Sequence, residues 1–192
     1  YMSRVIAIAN QKGGVGKTLI AAGLAQAFSA QGERMLLIDG DLGMANIDVQ
    51  LGLSPDADLA AVMSGQILLE DACQPVMGGA RQRGGFDVIA GRSGSGGLAG
   101  MRPDAVNRLA AACATIALSY ERAILDLAAG ADDSTMRMAM AFTFQHRVLR
   151  QGIRIESTQS LGGNFHVFVF DVDSAFRRNQ SVSFKGHLSF SQ

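Results

Sequence analysis

Four short, mainly apolar runs lie in the first 141 residues of the chain; the first two are continuous rather than alternating, and the last two each contain one aspartate. They lie at Val5–Ala9, Met35–Ile38, Phe86–Ala90 and Ala123–Leu127. A strand with one solvated face alternates apolar with polar residues, so an unbroken run is typical of a strand that is buried on both faces. The runs therefore predict the central strands of a parallel sheet.

Stretches in which apolar residues follow a helical period separate these runs. Ile20, Leu24 and Phe28 recur every four residues within Lys17–Ala30, and a second apolar stripe follows a helix start at Pro103-Asp104. Shorter helices are predicted near Asp58–Met63 and, after a cap at Asp132-Asp133-Ser134, through about Ala141. Strands that alternate with helices predict an α/β fold, a mostly parallel sheet flanked by helices, with ligands outside the carboxyl ends of the strands.

The composition changes abruptly after residue 141. Residues 1–141 hold all nine methionines and 27 of the 28 alanines, whereas residues 142–192 hold eight of the ten phenylalanines and all three histidines. We therefore predict a core over residues 1–141 and an atypical C-terminal segment over residues 142–192, with a strand at Phe165–Val172. This segment either completes or replaces the back of the fold. Its origin stays open between a divergent ending, a shifted reading frame or fusion, and a truncation followed by new sequence, and the abruptness favours replacement.

Charge and cysteine content indicate which partners and which cellular compartment the sequence favours. The 17 Lys and Arg residues balance 17 Asp and Glu residues, so no net charge attracts nucleic acid or an anionic membrane. Cys73 and Cys113 are far apart and match no metal-ligand spacing, which predicts reduced, buried thiols. The chain opens with no apolar leader and contains no run of about 20 apolar residues, which predicts a cytoplasmic protein.

The clearest chemical motif follows the first predicted strand, in the stretch ANQKGGVGKT at Ala9–Thr18. Glycines allow backbone N–H groups to converge on phosphate oxygens at the start of a helix. Lys17 would neutralise the β- and γ-phosphates and Thr18 would place its hydroxyl on Mg²⁺, although Gln11 stands where the general pattern has its first glycine. The predicted nucleotide-binding residues are Gly13, Gly14, Val15, Gly16, Lys17, Thr18 and Leu19.

Three aspartates follow predicted strands whose carboxyl ends meet at one edge of the sheet. Asp39 and Asp41 end the second strand, and Asp126 lies in the strand Ala123–Leu127. Carboxylates beside a triphosphate would repel it unless Mg²⁺ or a positioned water lay between them, which is what a phosphoryl-transfer site supplies. The plainer alternative is that Asp39 and Asp41 are solvated loop carboxylates.

The segment KGGVGKT, with a lysine at position 12, resembles the deviant phosphate loop of the MinD/ParA superfamily of ATPases. The resemblance implies that Lys12 reaches the nucleotide of a partner subunit, as an arginine finger does. It also implies that Asp41 orients the attacking water, that Asp39 acts on the magnesium shell, and that Asp126 is the Walker B aspartate that holds Mg²⁺ through water. Leu19 departs from the usual Thr-Thr ending, so only its backbone contact to the α-phosphate carries over.

The segment DLGMANIDVQLGL at Asp41–Leu53 resembles the MinD-like regulators of flagellar number and placement, the FlhG or FleN group. The glycine-rich stretch Gly91–Gly96 and Leu127–Gly130 also fit that group, and the resemblance covers about residues 4–141. It implies an ATPase that dimerises with ATP and Mg²⁺ and positions flagella or the division septum. It further implies slow hydrolysis alone and an activating protein partner. Peripheral association with the inner membrane occurs in the family, but no anchor is visible here.

Two other functions remain alternatives at this point. A ParA-like DNA partition ATPase would need a basic dimer surface, and the balanced charge and the DLGMAN segment make DNA an unfavoured partner. A nucleotide-binding regulatory scaffold without turnover is the second alternative, because residues 142–192 show no counterpart of the family's adenine-contacting strand. The iron–sulfur relatives are disfavoured, because neither Cys73 nor Cys113 lies in a cluster-binding motif.

Overall fold

A computed structural model of the protein describes residues 4–10, 14, 16–41, 47–53, 57–91, 101–129, 135–142, 158–160 and 165–170. For residues 4, 10, 60, 158–160 and 165–170 it describes the backbone alone.

One twisted sheet organises the described part of the chain. Its strand order is β3-β4-β2-β5-β1-β7-β6. The four inner strands β4, β2, β5 and β1 are mutually parallel, whereas β3, β7 and β6 each run antiparallel to the neighbour on their inner side. The mostly parallel sheet predicted from the apolar runs is confirmed. The strands are β1 (Arg4–Asn10), β2 (Met35–Asp39), β3 (Cys73–Val76), β4 (Phe86–Ile89), β5 (Arg122–Ala129), β6 (Thr158–Ser160) and β7 (Phe165–Phe170).

Helices flank both faces of the sheet, as the alternating pattern predicts. They are α1 (Lys17–Ala30), α2 (Ile47–Leu51), α3 (Leu59–Met63), α4 (Pro103–Ala117) and α5, helical over residues 135–142. A single 3₁₀ turn at Glu70–Ala72 leads into β3. The predicted cap of α5, residues 132–134, lies outside the described residues. Among the described residues, no helix combines the length and the apolar character needed to cross a bilayer.

Alternate residues of the inner strands point to opposite faces of the sheet and pack in two separate hydrophobic cores. On one face, Ile6, Met35 and Ile124 pack with the small α1 residues Ala21 and Ala25. On the other face, the strand residues meet the apolar stripe of α4 and the end of α5. This second cluster includes Val5, Leu36, Leu125, Leu109, Cys113 and Phe142. Because β2 is buried at all five positions, its unbroken apolar run is explained by burial on both faces.

The two cysteines differ in environment. Cys113 is fully buried in the α4 core, as predicted, and burial raises the pKa of its thiol to about 12. Cys73 is only half-buried in β3, and burial raises the pKa of its thiol to about 11. Neither Cys73 nor Cys113 forms a disulfide within the described residues.

The edge strand β3 has no counterpart in the sequence prediction. It is four residues long and contains Pro75, and both features argue against a strand when the sequence is taken alone. The structure pairs it antiparallel with β4, Pro75 lying opposite Asp87. The backbone N–H of Cys73, at the start of β3, donates to the carbonyl of Glu70 in the preceding 3₁₀ turn.

Two strands of the C-terminal segment, β7 and β6, form the edge of the sheet opposite β3. β7 runs antiparallel along β1, from Phe170 opposite Val5 to Phe165 opposite Asn10. The strand predicted at Phe165–Val172 is therefore present over Phe165–Phe170, and residues 171–192 lie outside the described residues.

A buried ion pair closes the end of the sheet at which the parallel strands begin. The Arg122 guanidinium at the start of β5 binds Glu33 with both ends of its fork, with Nε–Oε2 at 2.8 Å and Nη2–Oε1 at 2.9 Å. The same guanidinium lies 3.9 Å from the ring centroid of Phe28, near the end of α1. One side chain therefore ties β5 to the connection between α1 and β2.

We expect Arg122→Ala to lower the free energy of unfolding by about 2 kcal/mol, because it leaves the Glu33 carboxylate partly buried without its partner. The measurement is the urea unfolding midpoint at constant m value. Arg108→Ala is the matched control, since Arg108 pairs with Asp104 on an exposed surface of α4. Equal midpoint shifts in the two variants would contradict a stabilising role specific to the buried pair.

Candidate nucleotide site

The two described glycines of the loop after β1 both have a left-handed backbone. Gly14 and Gly16 have φ values of 70° and 86°, a region that side chains with a Cβ rarely adopt. An added Cβ would meet nothing within 4 Å at either position, so backbone conformation rather than crowding requires glycine there. Gly16 then caps α1, and its carbonyl accepts the N–H of Ile20 at 3.0 Å. The predicted residues Lys12, Gly13 and Val15 lie outside the described residues.

The N-terminus of α1 begins at a glycine, which has no side chain to cap it. Among the described residues no side-chain cap is present, and the first turn contains no acidic residue. The unpaired N–H groups and the positive end of the helix dipole therefore favour an anion at this point. Lys17 is 8% exposed, whereas the side chain of Leu19 is 67% exposed, which fits a role for Leu19 through its backbone alone.

Two of the three predicted aspartates face each other across neighbouring strands. Asp39 at the end of β2 is in register with Asp126 of β5, and the N–H of Gly40 donates to the carbonyl of Asp126 at 2.7 Å. Their side chains are 1% and 2% exposed. The predicted meeting of these carboxylates at one edge of the sheet is therefore found, and the reading of Asp39 as a solvated loop carboxylate is wrong because the residue is buried.

Burial makes the ionised form of both carboxylates costly. Burial, and then the neighbouring charge of Asp126, raises the pKa of Asp39 to about 7. Burial also raises the pKa of Asp126 to about 6, against the opposing effects of a hydrogen bond from the Thr18 hydroxyl and the positive charge of Lys17. Lys17, Thr18 and Asp126 thus form one electrostatic unit at the mouth of the loop.

The residues present fit a magnesium ion held jointly with phosphate. Asp126 Oδ1 is buried and has no hydrogen-bond partner within the described residues, so a ligand atom is available where a cation would relieve the charge. No group of three or more His, Cys, Asp or Glu side chains is placed to hold a metal in the described ranges. Mg²⁺ commonly takes only one or two protein carboxylates and completes its shell with water and substrate phosphates. Thr18, Asp39 and Asp126 are therefore the side chains that could hold it.

Asp41 lies at the same edge and is half-buried. Its backbone N–H donates to Asp39 Oδ1 at 3.0 Å, and the N–H of Ile47 approaches Asp39 Oδ2 at 3.5 Å. Asp39 therefore holds both ends of the segment between β2 and α2, a structural role that the sequence analysis missed. The signal was an aspartate two residues before a turn N–H, as in an Asx turn.

A fourth acidic residue, Asp58, lies at this edge, where it starts the short helix that the sequence predicts near Asp58–Met63. Asp58 is fully buried, and its Oδ1 accepts the N–H of Ala61 at 2.8 Å, which caps α3. The N–H of Leu59 donates to the carbonyl of Ala90, just after β4. An aspartate directly before the apolar run LAAVM is an ordinary helix-start signal, and the predicted helix is present as α3.

Comparison with known proteins agrees with this geometry. Residues 6–168 match the family described as the CobQ/CobB/MinD/ParA nucleotide binding domain. The antiactivator FleN of Pseudomonas aeruginosa is 36% identical over 138 residues, which cover 72% of this chain and 47% of FleN. The septum site-determining protein MinD of Thermotoga maritima is 50% identical over 52 residues, 27% of this chain and 19% of that protein.

Solved structures show the same fold. The MinD of Pyrococcus horikoshii complexed with Mg-ADP superposes with a TM-score of 0.61 at 27% identity, covering 73% of this chain and 55% of that one. The cobyrinic acid a,c-diamide synthase of Mycobacterium smegmatis with bound ADP and magnesium gives 0.58 at 26% identity, covering 73% and 57%. The chain thus spans about half the length of the relatives that it matches.

Proposed function

Because the chain belongs to the CobQ/CobB/MinD/ParA nucleotide-binding family, we propose that it is an ATP-binding and ATP-hydrolysing dimerisation switch. The observation that carries the proposal is the open N-terminus of α1, started by Gly16, facing the buried pair Asp39 and Asp126. A cationic, amide-rich phosphate site beside orphaned carboxylate oxygen is what Mg-ATP requires. The likeness to FleN and MinD supports a role in positioning flagella or the division septum.

Within this proposal, each described side chain has one task. Lys17 binds the β- and γ-phosphates, and its burial keeps the charge out of bulk water, where it acts more strongly. The Thr18 hydroxyl and the two buried aspartates hold Mg²⁺, which would neutralise the developing charge on the phosphates. Asp41, half-buried next to Asp39, positions the water for in-line attack on the γ-phosphate.

The dimer is proposed from Lys12, whose place in the phosphate loop matches the signature lysine of the family. Two exposed apolar side chains near the site support a face that a second copy covers. Leu19 in the first turn of α1 is 67% exposed, and Val49 of α2 is 78% exposed. Both elements adjoin the edge at which Asp39 ends β2, so association at this face would bring two phosphate loops together.

We propose that residues 1–141 form the ATPase core and that residues 142–192 complete the back of the sheet. The pairing of β7 along β1 supports this division, because it supplies a neighbour for the strand that leads into the phosphate loop. Bonding on both sides of β1 would stabilise the position of the loop that follows it.

The oligomeric state with and without Mg-ATP tests the proposed function. We expect a monomer without nucleotide and a dimer with Mg-ATP in light-scattering chromatography, with slow turnover. Lys12→Ala is expected to abolish the dimer and to leave nucleotide binding by the monomer largely intact. Lys185→Ala removes the same charge from the C-terminal segment and is the control. An unchanged ATP-dependent dimer in Lys12→Ala would refute the intermolecular role of that lysine.

Asp41→Ala separates a switch from a scaffold. We expect it to retain the ATP-bound dimer but to lose turnover, because water is no longer oriented for attack. Normal turnover in this variant would remove Asp41 from the mechanism. Nucleotide binding without turnover in the parent protein would favour the regulatory scaffold, and a dimer that binds DNA with a steep salt dependence would favour partition.

A further inference from the structure

A groove of about 480 Å³ lies at the end of the sheet opposite the nucleotide site. One wall is the connection from the end of α1 to the start of β2, residues 29–34, and the other is the turn that precedes β4, residues 80–83. These segments lie at the amino ends of β2 and β4, whereas Asp39 marks the carboxyl end of β2. The groove is therefore separate from the site proposed for ATP.

The groove carries three exposed arginines, Arg34, Arg81 and Arg83. Arg83 Nε donates to the carbonyl of Ala30 at 2.8 Å, but no carboxylate of the described residues pairs with the guanidinium of Arg34 or Arg81. The one acidic side chain in the lining, Glu33, is already bound by Arg122. Glu121, which accepts the backbone N–H of Arg34 at 2.7 Å, offsets part of this charge. The three arginines still leave an excess of positive charge here, although residues 1–141 as a whole hold three more acidic than basic residues.

Buried hydrogen bonds fix the two walls of the groove relative to each other. The Ser29 hydroxyl, in the last turn of α1, accepts the N–H of Gly84 at 3.1 Å and donates to the carbonyl of Gly85. Arg83 makes a second link from the turn to the end of α1. The arginines therefore stand on a preformed frame, which reduces the entropy lost when a ligand binds.

The lining lacks two features that are typical of nucleotide sites, a cradle of free backbone N–H groups among Gly32, Arg34, Ala80 and Gln82, and an aromatic platform. These four N–H groups all donate within the protein, so they cannot converge on a phosphate. The lining also contains no aromatic side chain on which a base could stack. Separate guanidinium forks remain, and these suit several carboxylates spaced along an extended chain.

We propose that this groove binds an acidic segment of a partner protein. Arg34 and Arg81 supply the binding charges, and Arg83 orients the turn that carries Arg81. Since the groove and the nucleotide site lie at opposite ends of β2, both can be occupied in one molecule. The binding is electrostatic, so it weakens as the salt concentration rises.

Fluorescence anisotropy with a labelled peptide of about eight glutamates tests the proposal on the full chain at an ionic strength of about 0.01 M, where the Debye length is about 30 Å. The double variant Arg34→Ala/Arg81→Ala should bind the peptide about tenfold more weakly. The control Arg102→Ala/Arg108→Ala has the same net charge and alters exposed arginines of the α4 region. It should bind within about twofold of the parent.

Each outcome decides the proposal. A loss of peptide affinity in the groove variant alone supports the proposal, provided that the loss is the same with and without Mg-ATP. Equal loss in both double variants, or no binding by the parent protein, overturns it. A single-stranded oligonucleotide of equal charge that binds as tightly, and loses affinity in the groove variant, overturns it in favour of nucleic acid. Matching unfolding midpoints of the two double variants exclude misfolding as the cause.

Discussion

Lys17→Ala is expected to lower ATP turnover by about a hundredfold or more and to weaken nucleotide binding. Lys17 is nearly buried at the start of α1, where its charge would act on a bound phosphate in a region of low dielectric constant. Its loss removes charge stabilisation that water cannot replace there. The measurement is phosphate release under saturating Mg-ATP, together with nucleotide affinity from calorimetry.

Gln26→Ala is the control for Lys17→Ala, because Gln26 is exposed later in the same helix. It should leave both turnover and affinity unchanged. Turnover of Lys17→Ala within about threefold of the parent would show that the open helix terminus alone binds the phosphates, and would exclude a catalytic role for this side chain.

Asp126→Asn is expected to stabilise the magnesium-free protein at pH 7.5 by about 2 kcal/mol, even though it damages the site. The parent protein must hold Asp39 and Asp126 ionised, buried and in register. An asparagine removes one of the two charges, can still accept the Thr18 hydroxyl hydrogen bond, and can donate its amide toward Asp39. The stability gained is the electrostatic cost that a bound Mg²⁺ would offset in the parent protein.

The pH dependence gives this prediction a definite sign. The pKa of Asp39 is raised to about 7 and that of Asp126 to about 6, so the folded state holds these protons more tightly than the unfolded chain. Protonation of these two carboxyl groups therefore stabilises the folded state. This stabilisation is fully present below about pH 4 and is lost as the pH rises through 6 to 7. The advantage of Asp126→Asn should therefore vanish near pH 4, where both carboxyl groups are neutral.

Urea unfolding in chelator at pH 4.5 and pH 7.5 measures both effects, with Asp71→Asn as the exposed carboxylate control. Adding Mg-ATP should stabilise the parent protein more than Asp126→Asn. A variant that is no more stable than the parent at pH 7.5 without metal would contradict the carboxylate repulsion.

The sequence predicted the inner strands and the site edge because both depend on local patterns. The apolar run at Met35–Ile38 required burial on both faces, and the glycines before Lys17 required a turn into a helix. The meeting of Asp39 with Asp126 then followed from parallel strands alone, since carboxyl ends of such strands share an edge.

Long-range pairing accounts for most of what the sequence did not predict. Nothing local shows that β3, four residues with a proline, pairs with β4, or that β7 lies antiparallel beside β1. The groove arginines were missed for the same reason. Arg34 and Arg81 are 47 positions apart, and only the packing of α1 against the turn before β4 brings them together.

The edge strand β3 has a consequence for how copies of the protein can associate. A proline in an antiparallel edge strand directs its nitrogen away from the neighbouring strand, so Pro75 and Cys73 are the residues of β3 whose backbone faces outward. Pro75 has no N–H, and the N–H of Cys73 donates to Glu70. An incoming strand would find carbonyl acceptors here but no donor, so edge-to-edge addition at β3 is blocked and self-association is left to other surfaces.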